Sequence, residues 1–67
     1  MIIYKDILKK LKESGYSSAR LRKEKLLSES VISRIRHNQS ISIDTLDIIC
    51  ELTDLSVENL IEYKKMS

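Results

Sequence analysis

Residues 27–38 read LSESVISRIRHN, a stretch with one apolar face and one polar face. Apolar residues recur there at helical spacing, at Val31, Ile32 and Ile35. A serine at the N-cap accepts a hydrogen bond from the first-turn N–H groups, so Ser28 predicts a helix over residues 29–37. The opposite face of this helix carries Glu29, Ser30, Ser33 and Arg34. Its short hydroxyls permit close approach to another surface.

The same local pattern, an apolar residue, a serine, three residues and an apolar residue, occurs four times. Its serines are Ser17, Ser28, Ser42 and Ser56. Each cap is worth about 1 kcal/mol, and the flanking apolar residues occupy the positions of a hydrophobic staple. Gly15, the only glycine, predicts the end of an opening helix. The sequence therefore predicts an all-α, five-helix bundle in one domain, residues 1–67. The helices are expected at about 4–14, 18–24, 29–37, 43–52 and 57–63.

The chain is too small for most functions. It has 67 residues, one cysteine and one histidine, which excludes an internal disulfide and leaves too few ligands for a structural zinc. A core of this size rarely supplies more than roughly 3–5 kcal/mol of net stability. Cys50 is expected to be a small buried hydrophobe. We expect no catalysis, no metal, no cofactor and no small-molecule ligand.

The charge is divided unevenly along the chain. Residues 1–39 carry ten Lys and Arg against four Asp and Glu, a net +6, whereas residues 40–67 carry two against six, a net −4. This asymmetry suggests a polyanion as the partner of the basic half. Neither a membrane-spanning apolar run nor a secretory signal is visible, and with a free thiol this predicts a cytoplasmic protein.

The first two serine caps are spaced as in a helix-turn-helix. Ser17 and Ser28 are eleven residues apart, which leaves about seven residues for a helix and three or four for a turn. In this motif the second helix enters the major groove of DNA with its N-terminal residues against base edges.

The sequence resembles the lambda-repressor-like helix-turn-helix domains of the Cro-type, or xenobiotic-response-element, group. The resemblance covers nearly the whole chain and rests on residues 16–24, 27–38, 42–52 and 56–61. Two residues depart from the family pattern. Arg22 stands where a small residue is usual, and Leu26 stands where the turn usually has glycine. Because Leu26 would be strained at positive φ, a longer or differently shaped turn is expected, whereas Asn38 tolerates the left-handed region.

The resemblance implies two sets of DNA contacts. It implies base reading by Glu29, Ser30, Ser33 and Arg34. It implies phosphate contacts at two helix starts, Ser18 and Ser28, and in the segment after the recognition helix, which comprises Arg36, His37, Asn38, Gln39 and Ser40. Arg20 and Arg22 are added to the phosphate set for their charge. Helix N-termini favour anions through their free N–H groups.

The leading hypothesis is a sequence-specific transcriptional regulator that binds double-stranded DNA, in the manner of the bacterial and phage proteins of this group. A homodimer is expected, because one recognition helix covers only a few base pairs. Its candidate interface is Leu60, Ile61, Tyr63 and Met66. The alternative is a protein-interaction module, antitoxin-like or repressor-associated, that has no DNA binding of its own.

Overall fold

Within residues 1–65, four helices surround one apolar core, and a segment near each end of this range pairs with the other as a small sheet. The computed structural model describes residues 1–65. Its elements in chain order are β1 (Ile2–Tyr4), α1 (Ile7–Glu13), α2 (Ser18–Lys23), α3 (Glu29–Arg36), α4 (Ile43–Thr53), a 3₁₀ turn (Val57–Asn59) and β2 (Ile61–Tyr63).

The expectation of an all-α fold with five helices is wrong at both ends of the chain. Tyr4 belongs to a strand rather than to the first helix, which begins at Ile7 after Asp6 adopts a left-handed conformation, φ 52°. Residues 57–63 form a single 3₁₀ turn followed by β2 instead of a helix. The two strands read IIY and IEY, and β-branched and aromatic residues favour this pleated pairing.

Three of the four predicted serine caps are confirmed. The hydroxyls of Ser17, Ser28 and Ser42 accept hydrogen bonds from the backbone N–H three residues ahead, at 3.2, 3.2 and 3.0 Å. Ser56 makes no such bond to the backbone. Its hydroxyl instead donates to the Glu58 carboxylate and accepts from the Asn59 amide. The fourth pattern therefore begins a turn that ends after three residues.

The first three helices end in the same way, with a left-handed residue just past the last turn. These residues are Gly15, Lys25 and Asn38, with φ of 94°, 56° and 55°. Each is followed by a residue whose N–H reaches five residues back to a helix carbonyl, at 2.7–2.9 Å. These bonds satisfy helix carbonyls that would otherwise be orphaned. The predicted helix end at Gly15 is confirmed.

The core forms where the helices and the sheet meet. Its fully or nearly fully buried side chains are Ile7, Leu11, Leu21, Leu27, Ile32, Ile35, Ile49 and Leu60. Helix α1 packs against both α3 and α4, and Cys50 packs half-buried against this cluster. Among residues 1–65, no helix has the length and apolarity required to cross a bilayer.

Strands β1 and β2 are antiparallel, with Ile2 opposite Tyr63 and Tyr4 opposite Ile61. The outer edge of β1 is occupied by the side chain of Asn38, which lies just past α3. Its amide nitrogen donates to the Ile2 carbonyl at 3.2 Å, and its amide oxygen accepts from the Tyr4 N–H at 3.1 Å. One asparagine thus completes the edge of the strand and joins it to the end of α3.

Candidate nucleic-acid interface

Helices α2 and α3 form a helix-turn-helix, joined by residues 24–28. Leu21 anchors α2 in the core, Leu27 anchors the turn, and Ile32 and Ile35 anchor α3. Val31, which was also expected to point inward, is half-buried. With its apolar side fixed in this way, α3 presents its other side to solvent.

The polar face of α3 is mostly open. Glu29, Ser30 and Arg34 are exposed, while Ser33 is half-buried. His37 lies one turn later on the same face. The ring Nδ1 of His37 donates to the Ser33 carbonyl at 2.9 Å and lies 3.5 Å from the Ser33 hydroxyl. The structure thus brings His37, predicted as a phosphate contact, next to a predicted base-reading residue.

An ion pair links the two helices of the motif across the turn. Arg22 Nη1 donates to Glu29 Oε2 at 2.5 Å, with side chains 45% and 60% exposed. The two residues were predicted for different tasks, phosphate binding and base reading. In the unbound protein the arginine offsets the negative charge that Glu29 would otherwise present to DNA at the start of α3.

The Arg20 side chain binds three neighbouring groups of the protein. Its guanidinium pairs with the Glu24 carboxylate at 2.6 Å, donates to the Gly15 carbonyl at 2.8 Å and lies 4.5 Å from the centre of the Tyr16 ring. Glu24 raises the pKa of Arg20 through this hydrogen bond and its charge. Arg20 therefore fastens the start of α2 to the turn that precedes it.

Part of the predicted phosphate-binding segment after α3 makes hydrogen bonds within the protein. The Asn38 amide holds β1, and the Gln39 carbonyl accepts from the Tyr4 hydroxyl at 2.5 Å. Burial raises the pKa of this phenol, which favours its role as a donor. Arg36 and Ser40 are exposed. At the two helix starts, Ser18 is half-buried and the Ser28 hydroxyl is taken by the cap of α3.

Some Lys and Arg side chains in residues 1–39 bind other groups of the protein, and others do not. Lys5 and Lys10 donate to the carbonyls of Glu58 and Asn59 in the 3₁₀ turn, and the two α2 arginines are paired as described. Within residues 1–65 the remaining cations of this half make no ion pair or side-chain hydrogen bond, and they are Lys9, Lys12, Lys23, Lys25, Arg34 and Arg36.

Sequence analysis did not single out Lys9. It lines a surface hollow together with Arg36, and Asp6 and Asn38 lie at the same hollow. Lys9 and Arg36 are 27 positions apart in the chain. Only the packing of α1 against α3 brings them together.

The turn of the motif is shaped by Lys25. The left-handed residue is Lys25 and not Leu26, which packs half-buried against the core. Helix α2 ends at Lys23, which leaves room for the left-handed residue to fall one position before Leu26. The sequence predicted a turn that is longer or differently shaped. In the structure Lys25 adopts the positive φ, and Leu26 avoids it.

Replacing Lys25 with glycine is expected to raise the free energy of unfolding by up to about 1 kcal/mol. Glycine occupies the left-handed region without the steric cost of a Cβ. Urea unfolding of wild type and Lys25→Gly measures the change, and Lys23→Gly is the matched control. Because Lys23 is the last residue of α2 and does not have a positive φ, that second glycine is expected to destabilise the protein. Destabilisation by both variants would contradict the strain assigned to Lys25.

The predicted dimer-interface residues differ in exposure. Leu60 is fully buried in the core, so its side chain has no surface to offer a second copy, and its inclusion is wrong. Ile61 is half-buried, and Tyr63 is 65% exposed. Met66 lies outside the described residues. Within those residues, no group of His, Cys, Asp and Glu side chains is arranged to hold a metal ion.

Comparison with known proteins identifies the family. The sequence model of the Cro/C1-type HTH DNA-binding domain matches residues 6–66. Searches among curated proteins and among solved structures found no significant match. The matched range contains α1, the helix-turn-helix of α2 and α3, α4 and β2. The chain belongs to the Cro/C1-type family of helix-turn-helix DNA-binding domains.

Proposed function

We propose that this protein is a transcriptional regulator that recognises a specific sequence in double-stranded DNA. Helix α3 enters the major groove and α2 crosses the backbone, as helix-turn-helix geometry requires. The observation that carries the proposal is the exposed polar face of α3, where Ser30 and Arg34 make no side-chain hydrogen bond or ion pair within residues 1–65. Residues 1–67 act as one DNA-binding domain without catalysis, in the cytoplasmic compartment that holds the DNA.

The reading face has a defined division of roles. Arg34 donates two hydrogen bonds to guanine O6 and N7, and Glu29 accepts from the N4 amino group of cytosine. Glu29 does so through the carboxylate oxygen not held by Arg22, or after Arg22 turns to a phosphate. Ser30 and Ser33 bond to base edges at short range, Ser33 after the His37 ring rotates away.

Phosphate contacts surround this face. Arg36 and Lys9 bind one strand of the backbone from the hollow between α1 and α3. The backbone N–H groups at the helix starts, at Ser18 and Ser28, favour phosphate through the helix dipole. The predicted role of Arg20 is secondary, because its guanidinium already pairs with Glu24. Gln39 and Ser40 are exposed and contact phosphate through their side-chain donors. The Asn38 side chain holds the sheet and is left out of the set.

The functional unit is a homodimer on two half-sites. One α3 reaches only a few base pairs, whereas a dimer reads two half-sites about 34–36 Å apart on one face of the duplex. Both copies then contribute phosphate contacts, and their base contacts add.

Substitution of Arg34 and of Arg36 by alanine is expected to separate base reading from phosphate binding. Arg34→Ala should relax the preference at one base pair of each half-site, at a cost of about 1–3 kcal/mol per half-site on the preferred sequence. Arg36→Ala should weaken binding to all sequences by a similar factor and keep the preference. The measurement is selection of bound duplexes from a random pool, followed by titration of the selected sequence.

The two variants are matched controls, since each removes one exposed arginine from the same helix. Identical profiles for both variants would contradict the assignment of the reading face. A wild-type pool without any enriched motif would contradict sequence-specific recognition, even if the protein still bound DNA.

A further inference from the structure

The outer edge of β2 carries unpaired backbone groups. Leu60 and Lys64 take part in backbone hydrogen bonds at the β1 side, with the Lys5 N–H donating to Leu60 and the Lys64 N–H donating to Met1. Because successive residues of a strand point their N–H and C=O groups to alternate sides, those of Ile61 and Tyr63 point away from β1. Within residues 1–65, no other segment pairs with this edge. The edge of β1, in contrast, is already occupied by Asn38.

One face of the same sheet is apolar and open. Ile2, Tyr4, Ile61 and Tyr63 share it, because each pair is directly opposite in the register. All of these residues except Tyr63 line an apolar groove. Its other apolar lining residues are Ile41, Ile43 and Leu46. Ile2 is 48% exposed, Tyr63 is 65% exposed and Ile43 is 82% exposed. Apolar side chains gathered around a free strand edge are typical of an interaction surface.

We propose that a second copy of this chain binds here, with the two β2 strands antiparallel and Tyr63 on the two-fold axis. Each Tyr63 then exchanges both backbone hydrogen bonds with the partner's Tyr63, and Ile61 pairs with the partner's Lys65. The two sheets become one sheet of four strands. This inference rests on the proposed homodimer and specifies its interface.

Charge complementarity selects this occupant and this register. With Tyr63 on the axis, Glu62 lies directly opposite the partner's Lys64, and Lys64 lies opposite the partner's Glu62. Opposite charges in such positions stabilise a strand pair, whereas like charges destabilise it. A register centred on Glu62 would place the two carboxylates against each other. A register centred on Ile61 would run the edge into the 3₁₀ turn, which ends at Asn59.

The test is a charge swap read out by sedimentation velocity on the full chain, without DNA. Wild type is expected to show a reversible monomer–dimer equilibrium. Glu62→Lys and Lys64→Glu should each weaken the dimer by about 10-fold or more, since each places like charges opposite one another twice. The double variant E62K/K64E restores the opposite-charge pairs, so its dimer should return to near wild-type strength.

Tyr63→Pro and Tyr63→Val form a second matched pair. Proline removes the outward N–H of Tyr63 without touching the bonds between β1 and β2, so the dimer is lost while the monomer stays folded. Valine keeps the N–H and has a β-branched side chain that favours strands, so it should retain more of the dimer than proline does. Circular dichroism monitors folding of every variant.

A wild-type protein that stays monomeric at every concentration tested overturns the interface. A dimer whose strength is unchanged by both single charge reversals also overturns it, as does a dimer that the double variant fails to restore. None of these outcomes bears on DNA binding by one copy. A folded dimer that binds no DNA would instead overturn the proposed function and leave the interface intact.

Discussion

Affinity for duplex DNA is expected to fall by about 10³- to 10⁵-fold when the salt concentration rises from about 50 to about 200 mM. Such a fall follows from roughly six to ten phosphate contacts in the complex, because each contact releases condensed counterions. The protein has cations for this role, since Lys9, Lys23, Lys25 and Arg36 have no acidic partner within residues 1–65. Fluorescence anisotropy with a labelled duplex at several salt concentrations measures the slope.

Two lysines of α1 provide a matched comparison. Lys9 lines the hollow beside Arg36 and Lys10 donates to the Asn59 carbonyl, so only Lys9 is free for phosphate. Lys9→Gln should reduce the salt slope by about 2 for the dimer, because it removes from each copy one cation that neutralises a phosphate. Lys10→Gln should leave the slope unchanged. Absence of binding by folded wild type at about 50 mM salt would contradict the DNA-binding proposal and favour the protein-interaction module.

Replacement of Asn38 with alanine is expected to lower the free energy of unfolding by about 2–3 kcal/mol. Alanine removes both amide hydrogen bonds to β1, each worth about 1 kcal/mol. It also tolerates φ 55° less well than asparagine does, which adds up to about 1 kcal/mol. The core of a domain of this size rarely supplies more than roughly 3–5 kcal/mol of net stability. Urea unfolding at low temperature is the measurement.

Two further variants separate the contributions of Asn38. Asn38→Gly keeps the left-handed backbone and removes only the amide bonds, so it should be less destabilising than Asn38→Ala. Asn38→Asp keeps the acceptor for the Tyr4 N–H but turns the donor to Ile2 into a second acceptor. An alanine variant as stable as the glycine variant would contradict the backbone strain. Wild-type stability in all three would contradict the role of the side chain.

The features predicted correctly from the sequence are those that depend on a few neighbouring residues. The cap at Ser28 needs only the residues of the first turn of α3, and the end of α1 needs only Gly15. The spacing between Ser17 and Ser28 then defines the helix-turn-helix. These signals act over less than a dozen residues and are visible without knowledge of the fold.

The failures have a physical cause in long-range pairing. The pattern around Ser56 matches the other three, but Ile61–Tyr63 pairs with Ile2–Tyr4, almost sixty positions earlier. Local propensity cannot report such a partner. At Asn38 the sequence predicted the left-handed conformation, which is a local tendency. It did not predict the hydrogen bonds to β1, because these join residues far apart in the chain. The site residues on α3 were named from the family resemblance and stay predictions until the Arg34 and Arg36 variants are measured.

The bonds between Asn38 and β1 have a mechanical consequence. They connect the end of α3 directly to the sheet through two hydrogen bonds of one side chain. If two sheets join at β2, the path from one reading helix to the other runs through the Asn38 side chains and the paired strands. Such a path has little torsional freedom, while each added base pair turns the second half-site by about 35°. The protein would then measure the distance between half-sites as strictly as it reads the bases within them.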